Sequence, residues 1–225
     1  PAHYCGVYAH KPTYGIVPYQ GHMLTSVQPG DISVAGPMAR SARDLTAMLK
    51  YLVGTEGIEA RAVSITLPDR KQKTLKDFRV AVMLTDEVSE VDEPLQELLA
   101  DLSRFLTPKV KKLSHTARPD FTSREAMDIY ITLLRAATSR RQTDEEFAGN
   151  VRKMLSFSAD DDSYLARMTR AYVMSHRNWL IASERRHKMR LRWDAFFEEW
   201  DVLICPPAAS AAFPHDQQGD RHQRL

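Results

Sequence analysis

Residues 79–84 read Arg-Val-Ala-Val-Met-Leu, a near-continuous apolar run that decides how the chain is organised. A strand with one wet face alternates apolar and polar side chains, whereas an unbroken run fits a strand covered on both faces. After it, Leu95, Leu98, Leu99, Leu102, Phe105 and Leu106 fall on one helical stripe, and Val110-Lys-Lys-Leu113 is a weaker strand candidate. Strand, helix and strand over ~35 residues make the βαβ unit of a parallel or mixed sheet. The stripe is expected to pack against the strand.

Working outward, residues 1–40 are rich in loop signals, with Ile16-Val17 and Ser33-Val34-Ala35 as short strand candidates. Ser41 and Asp44 resemble a capping box. Leu45, Met48, Leu49, Leu52 and Val53 then recur at helical spacing before Gly54. Residues 55–76 form a polar connection. Beyond the βαβ unit, Thr122 and Glu125 suggest another capped helix carrying Met127, Tyr130, Leu133 and Leu134. One long helical pattern runs from about Ser163 to Trp200, and Asp201-Val-Leu-Ile-Cys205 reads as a short strand stopped by Pro206-Pro207. The tail from His215 is polar.

Composition narrows the function classes. At 27% charged and 43% hydrophobic the 225-residue chain is of ordinary globular make-up, and a net charge of +2 is too small to argue for nucleic acid. No apolar run approaches the ~20 residues of a membrane span, so neither membrane nor nucleic-acid partners are expected. Cys5 and Cys205 show no CxxC spacing, which favours a reduced, cytoplasmic setting; Cys5 reads as a small buried residue. The eight histidines lack metal-ligand spacing, so no metal is expected. His215-Asp216 lacks the Gly-x-Ser-x-Gly elbow that would make it part of a triad. The basic stretch Glu184–Trp193 places Met189 and Trp193 four apart and reads as the wet side of an amphipathic helix. Lys11 reads as a loop-shaping lysine.

Several motifs, taken in order, resemble the amidase signature family. Pro1-Ala2, Cys5-Gly6-Val7, Lys11-Pro12-Thr13 and Gly15 resemble the segment just after that family's nucleophilic serine. Gly36-Pro37-Met38-Ala39-Arg40 followed by Asp44 resembles its next motif. Asp201–Pro206 and Ala212–Asp216 resemble a late strand and loop of one bacterial branch. Ala9 and His10 depart from the glycine and the hydrophobic residue common in relatives.

The resemblance implies an α/β fold, a mixed β-sheet between helical layers, incomplete in this chain, which looks like the second half of an amidase cut at both ends. It implies hydrolysis of a small-molecule carboxamide through an acyl-serine intermediate, with no cofactor. The Ser–cis-Ser–Lys triad would lie upstream of Pro1, its nucleophile about four residues before it, leaving no catalytic residue in the chain and the isolated chain inactive. Ser26, Ser33 and Ser41 are not substitutes.

All 225 residues would belong to one amidase domain. Residues 1–54 would supply the post-nucleophile loop and first helix, 55–114 the βαβ segment, 115–200 a helical pocket wall and 201–225 a late strand and tail. Tyr130, Tyr172, His176 and Trp179 would be substrate-binding candidates on that wall. A homodimer is an assembly such a chain could form, and the alternative reading is a non-catalytic, amidase-like interaction module.

Overall fold

The computed structural model describes residues 1–22, 30–215 and 217–218. In chain order its elements are β1 (Tyr8–Ala9), β2 (Met38–Ala39), α1 (Ala42–Leu52), β3 (Arg79–Val82), α2 (Glu93–Leu106) and β4 (Lys112–Ser114). There follow α3 (Ser123–Ser139), α4 (Asp144–Ser156), α5 (Tyr164–Tyr172), α6 (His176–Glu199) and β5 (Val202–Ile204). Short 3-10 turns occupy His3–Cys5, Glu59–Arg61 and Leu75–Asp77.

The first four residues of the apolar run at 79–84 form the central strand, and Met83 and Leu84 lie beyond its end. β3 pairs in parallel with β4 on one side and β5 on the other, with Val80 opposite both Leu113 and Val202. Val80, Ala81 and Val82 are all buried, as a strand covered on both faces requires. One cover is the end of α6: Phe196 and Trp200 pack on Ala81, flanked by Trp193, Leu203 and Ala117. The small Ala81 side chain leaves room for these rings. A second sheet is the antiparallel ribbon β1–β2, so parallel and antiparallel pairing occur in one α/β chain.

Charge fastens the ends of β3 and β5. Asp201, just ahead of β5, accepts from Arg79 Nε at 3.0 Å, Arg79 Nη2 at 2.9 Å, the Arg79 backbone N–H at 2.7 Å and Gln72 Nε2 at 2.6 Å. Those hydrogen bonds, the Arg79 side chain's first among them, hold the carboxyl down at about 2 against a partial desolvation penalty.

Local signals explain the helix ends. Ser41, Thr122, Thr143, Ser163 and Ser175 each accept a backbone N–H at the start of a helix. Ser175 is also why the long pattern from Ser163 to Trp200 is two helices rather than one. The chain leaves helical geometry after Tyr172, and Ser175 caps α6 through Asn178 N–H at 3.2 Å. Neither Ile16-Val17 nor Ser33-Val34-Ala35 is a strand; the pairing goes instead to Tyr8–Ala9 and Met38–Ala39.

The leucine stripe of α2 divides. Leu95, Leu99 and Leu106 are half-buried and share a line with the buried Ser103, whose hydroxyl lies 3.0 Å from His115 Nε2. Leu98, Leu102 and Phe105 form the other edge of the stripe and are exposed, contrary to the expectation that all six pack inward. The buried line is rotated toward Ser103, because that hydroxyl ties α2 to the residue following β4.

Candidate functional site

Because β3, β4 and β5 are parallel, their carboxyl ends meet along one edge, the place where open α/β sheets bind ligands. Four stretches of chain gather there. After β3, Thr85 Oγ1 accepts from Val91 N–H at 3.1 Å, and the Asp86 carboxylate accepts from Val88 N–H at 2.9 Å and from the Ser123 hydroxyl that opens α3. After β4, Arg118 donates to the carbonyls of Val82 at 3.2 Å and Ala117 at 2.7 Å. After β5, the Ala209 carbonyl accepts from Asp92 N–H at 2.8 Å.

The fourth stretch is the amino-terminal loop. His3 Nε2 donates to the Ser210 carbonyl at 2.8 Å, and Tyr4 meets Phe213 edge-on at 5.8 Å. Residues separated by two hundred positions thus bring the loop to the segment leaving β5.

The loop explains its own residues. Gly6 ends the His3–Cys5 turn in the left-handed region at φ 63°, which few other residues adopt. Gly36 serves close approach: a Cβ there would stand 2.2 Å from the His10 carbonyl oxygen and 2.8 Å from Pro12 Cδ. Pro12 and Pro37 are buried, and the Pro37 carbonyl accepts from His10 N–H at 3.0 Å. Lys11 is exposed and donates to the Pro12 carbonyl at 3.3 Å. Thr13 and Gly15 lie in the following turn, where the Thr13 carbonyl accepts from Ile16 N–H at 3.4 Å. Asp44 accepts from the Ser41 hydroxyl at 2.7 Å in the first turn of α1, beside the exposed Arg40. Cys5 is exposed rather than buried, as the last residue of a surface turn, and both cysteines are free thiols.

The helical candidates lie in different surroundings among the described residues. Trp179 packs against the Ile129, Leu133 and Ala182 core. His176 is exposed and stacks on Trp179 with ring centres 6.1 Å apart. The Tyr172 hydroxyl accepts from Arg135 at 3.2 Å, and Tyr130 is exposed on α3. Cavities of about 730 Å³ beside α1, about 570 Å³ at Tyr14–Gln20 and about 700 Å³ near Arg118 and Trp200 are lined by none of the four.

The basic stretch of α6 is more than a wet face. Arg185 reaches Asp128 at 2.9 Å, Arg186 reaches Asp31 at 2.9 Å and Arg192 reaches Glu125 at 3.1 Å. Its charge is largely neutralised within the fold.

Among the described residues no three His, Cys, Asp or Glu side chains gather to hold a metal, and no helix is long and apolar enough to cross a membrane. Ser26, Asp216 and the segment from Gly219 lie outside the described residues. Sequence reading missed Asp86, Ser123, Arg118 and the His3–Ser210 contact. The signal available for Asp86 and Arg118 was their place just beyond β3 and β4, and for Ser123 its place at the start of α3.

A parallel sheet with a glycine-shaped loop docked at its carboxyl edge defines an α/β protein. A family model described as Amidase matches residues 1–225, and the chain belongs to the amidase family.

Similar proteins include the A subunit of the glutamyl-tRNA(Gln) amidotransferase of Thermus thermophilus, 28% identical over 253 residues, covering 98% of this chain and 49% of that protein. Its counterpart of the same description from Gloeothece citriformis is 23% identical, with 98% and 48% covered. The chain therefore spans about half the length of the curated relatives it matches. Among solved structures, a fatty acid amide hydrolase superposes with a TM-score of 0.62 at 23% identity, covering 94% of this chain and 37% of that one. A bacterial aryl acylamidase superposes with a TM-score of 0.65 at 15% identity, covering 96% and 45%. At these identities the superpositions establish the shared fold.

Proposed function

We propose that this chain is part of a carboxamide hydrolase that works through an acyl-serine intermediate, and that its share of the enzyme is the buttress and wall of the site. The observation that carries the reading is the docking of His3 and Tyr4 against Ser210 and Phe213 at the carboxyl edge of the sheet. The loop that resembles the family's post-nucleophile segment is held where an α/β sheet places its chemistry.

In this reading the reacting serine lies about four residues before Pro1, with the bridging serine and the lysine further upstream. The lysine takes a proton from the bridging serine, which takes one from the nucleophile. The nucleophile then forms a bond to the amide carbon, and backbone N–H groups of a glycine-rich stretch stabilise the oxyanion. Protonated amine or ammonia leaves, and water releases the acid from the acyl-serine. This chain's residues hold the loop: Gly6 turns it, Gly36 lets the β1–β2 ribbon close on it, and the 3-10 turn anchors it to Ser210. Residues 115–200 would form the acyl-side wall, with Tyr130, Tyr172, His176 and Trp179 as contacts for a small amide. No cofactor enters this scheme.

The test begins with the encoding sequence just upstream of Pro1. A Gly-Gly-Ser-x-Arg run is expected there, and the polypeptide that includes it should release ammonia from simple amides. Alanine at that serine should abolish release. Hydrolysis by residues 1–225 alone, lost on changing Lys11 or Ser33, would contradict the assignment.

A further inference from the structure

We propose that Arg135, Tyr164 and Tyr172 form a receptor for a small-molecule carboxylate at the junction of α3 and α5. The guanidinium donates to the Tyr164 hydroxyl at 2.9 Å and to the Tyr172 hydroxyl at 3.2 Å, and stands 5.6 Å from the centre of the Tyr172 ring. Each phenol oxygen accepts from the arginine and so keeps its own O–H free to donate. One cation and two hydroxyl donors thus converge.

The missing element is an anion. Arg167 and Arg185 share Asp128, Arg186 has Asp31 and Arg192 has Glu125. Among the described residues no carboxylate comes within ion-pair distance of Arg135, although its Nε is enclosed and has no acceptor. A partly buried cation without counter-charge is unfavourable, and a bound carboxylate relieves it.

Acids on α3 and just before α5 are already engaged: Asp128 with Arg167 and Arg185, Asp162 with Arg167, and Asp161 with Ser163 N–H. Tyr164 is 52% exposed, so the phenol side is open to solvent. A single cation suits a carboxylate; a phosphate, with more charge to neutralise, calls for further cations.

The test is direct binding, which needs no turnover and so stands or falls apart from the hydrolase reading. The 225-residue chain is titrated calorimetrically, at fixed ionic strength, with sodium benzoate, with benzyl alcohol as its neutral counterpart, and with inorganic phosphate. Saturable binding of benzoate alone is expected. Arg135→Gln should weaken it about tenfold or more, and Tyr164→Phe about fivefold. Equal binding of benzyl alcohol, phosphate binding tighter than benzoate, no benzoate binding, or benzoate binding unchanged in the variants would each overturn the proposal. Should Arg135→Gln fail to fold, Tyr164→Phe, which removes only an exposed hydroxyl, decides it.

Discussion

Replacing Asp201 by Asn tests how the late strand is held to the centre of the sheet. The carboxylate takes donors from Arg79 Nε, Arg79 Nη2, the Arg79 backbone and Gln72. An asparagine keeps one acceptor oxygen and turns an NH2 group toward the remaining donors. Losing two charge-assisted hydrogen bonds at a partly solvated sheet end should cost about 2–3 kcal/mol. In a chain of this size that lowers the melting midpoint by roughly 8 °C.

The pH dependence supplies a second readout. A carboxyl held at about 2 rather than 3.8 stabilises the fold above pH 4 and loses that contribution as pH falls toward 2. The nominal linkage of about 2.5 kcal/mol shrinks to about 1 kcal/mol with screening by water. Urea titrations followed by tryptophan fluorescence suit the question, since Trp200 is buried next to Asp201. Asp201→Asn should lower the midpoint at pH 7 and flatten the difference between pH 4 and pH 2. A variant within about 0.5 kcal/mol of the parent, or one with the same acid dependence, would show that the Asp201 carboxylate does not hold β5 to β3.

Gly36→Ala drives a Cβ to 2.2 Å from the His10 carbonyl, so the β1–β2 ribbon must shift, at about 2–3 kcal/mol in denaturant titration; an unchanged midpoint would show that the close approach is not needed. Arg192→Gln should loosen the contact between α6 and Glu125, read as a lower melting midpoint, with nucleic-acid binding negligible before and after in filter binding at physiological salt. The chain exposes 16607 Å² against roughly 10,400 Å² for a compact monomer of 25.6 kDa, and Leu98, Leu102 and Phe105 are part of that surface. Expressed alone it should self-associate in light scattering, and a monodisperse monomer would count against this.

The βαβ core was legible because Val80, Ala81 and Val82 leave no polar break for a wet face. The helix starts were legible because Ser41 and Thr122 are local signals. What spans sequence distance was not: nothing near Asp201 points to Arg79, and their pairing appears only once β5 lies beside β3. The serine at position 103 hides within a leucine stripe, so the rotation of α2 toward His115 could not be read from hydrophobicity. The break before α6 was missed because Ser175 interrupts an otherwise helical pattern with a single cap. The site at the sheet edge was out of reach for a related reason. Asp86, Arg118 and Ser210 are assigned to one edge of the sheet only when strand direction and order are known, whereas the loop motif from Cys5 to Gly15 is local in sequence.

The most direct test of the central claim is ammonia release from simple aliphatic and aromatic amides by the polypeptide that carries the upstream sequence, compared with residues 1–225 alone. Turnover is expected of the longer polypeptide, with its loss on alanine substitution of the serine about four residues before Pro1, and none of residues 1–225, since losing the nucleophile alone costs about a millionfold in serine hydrolases. Turnover by residues 1–225, or turnover by the longer polypeptide that survives that substitution, would contradict it.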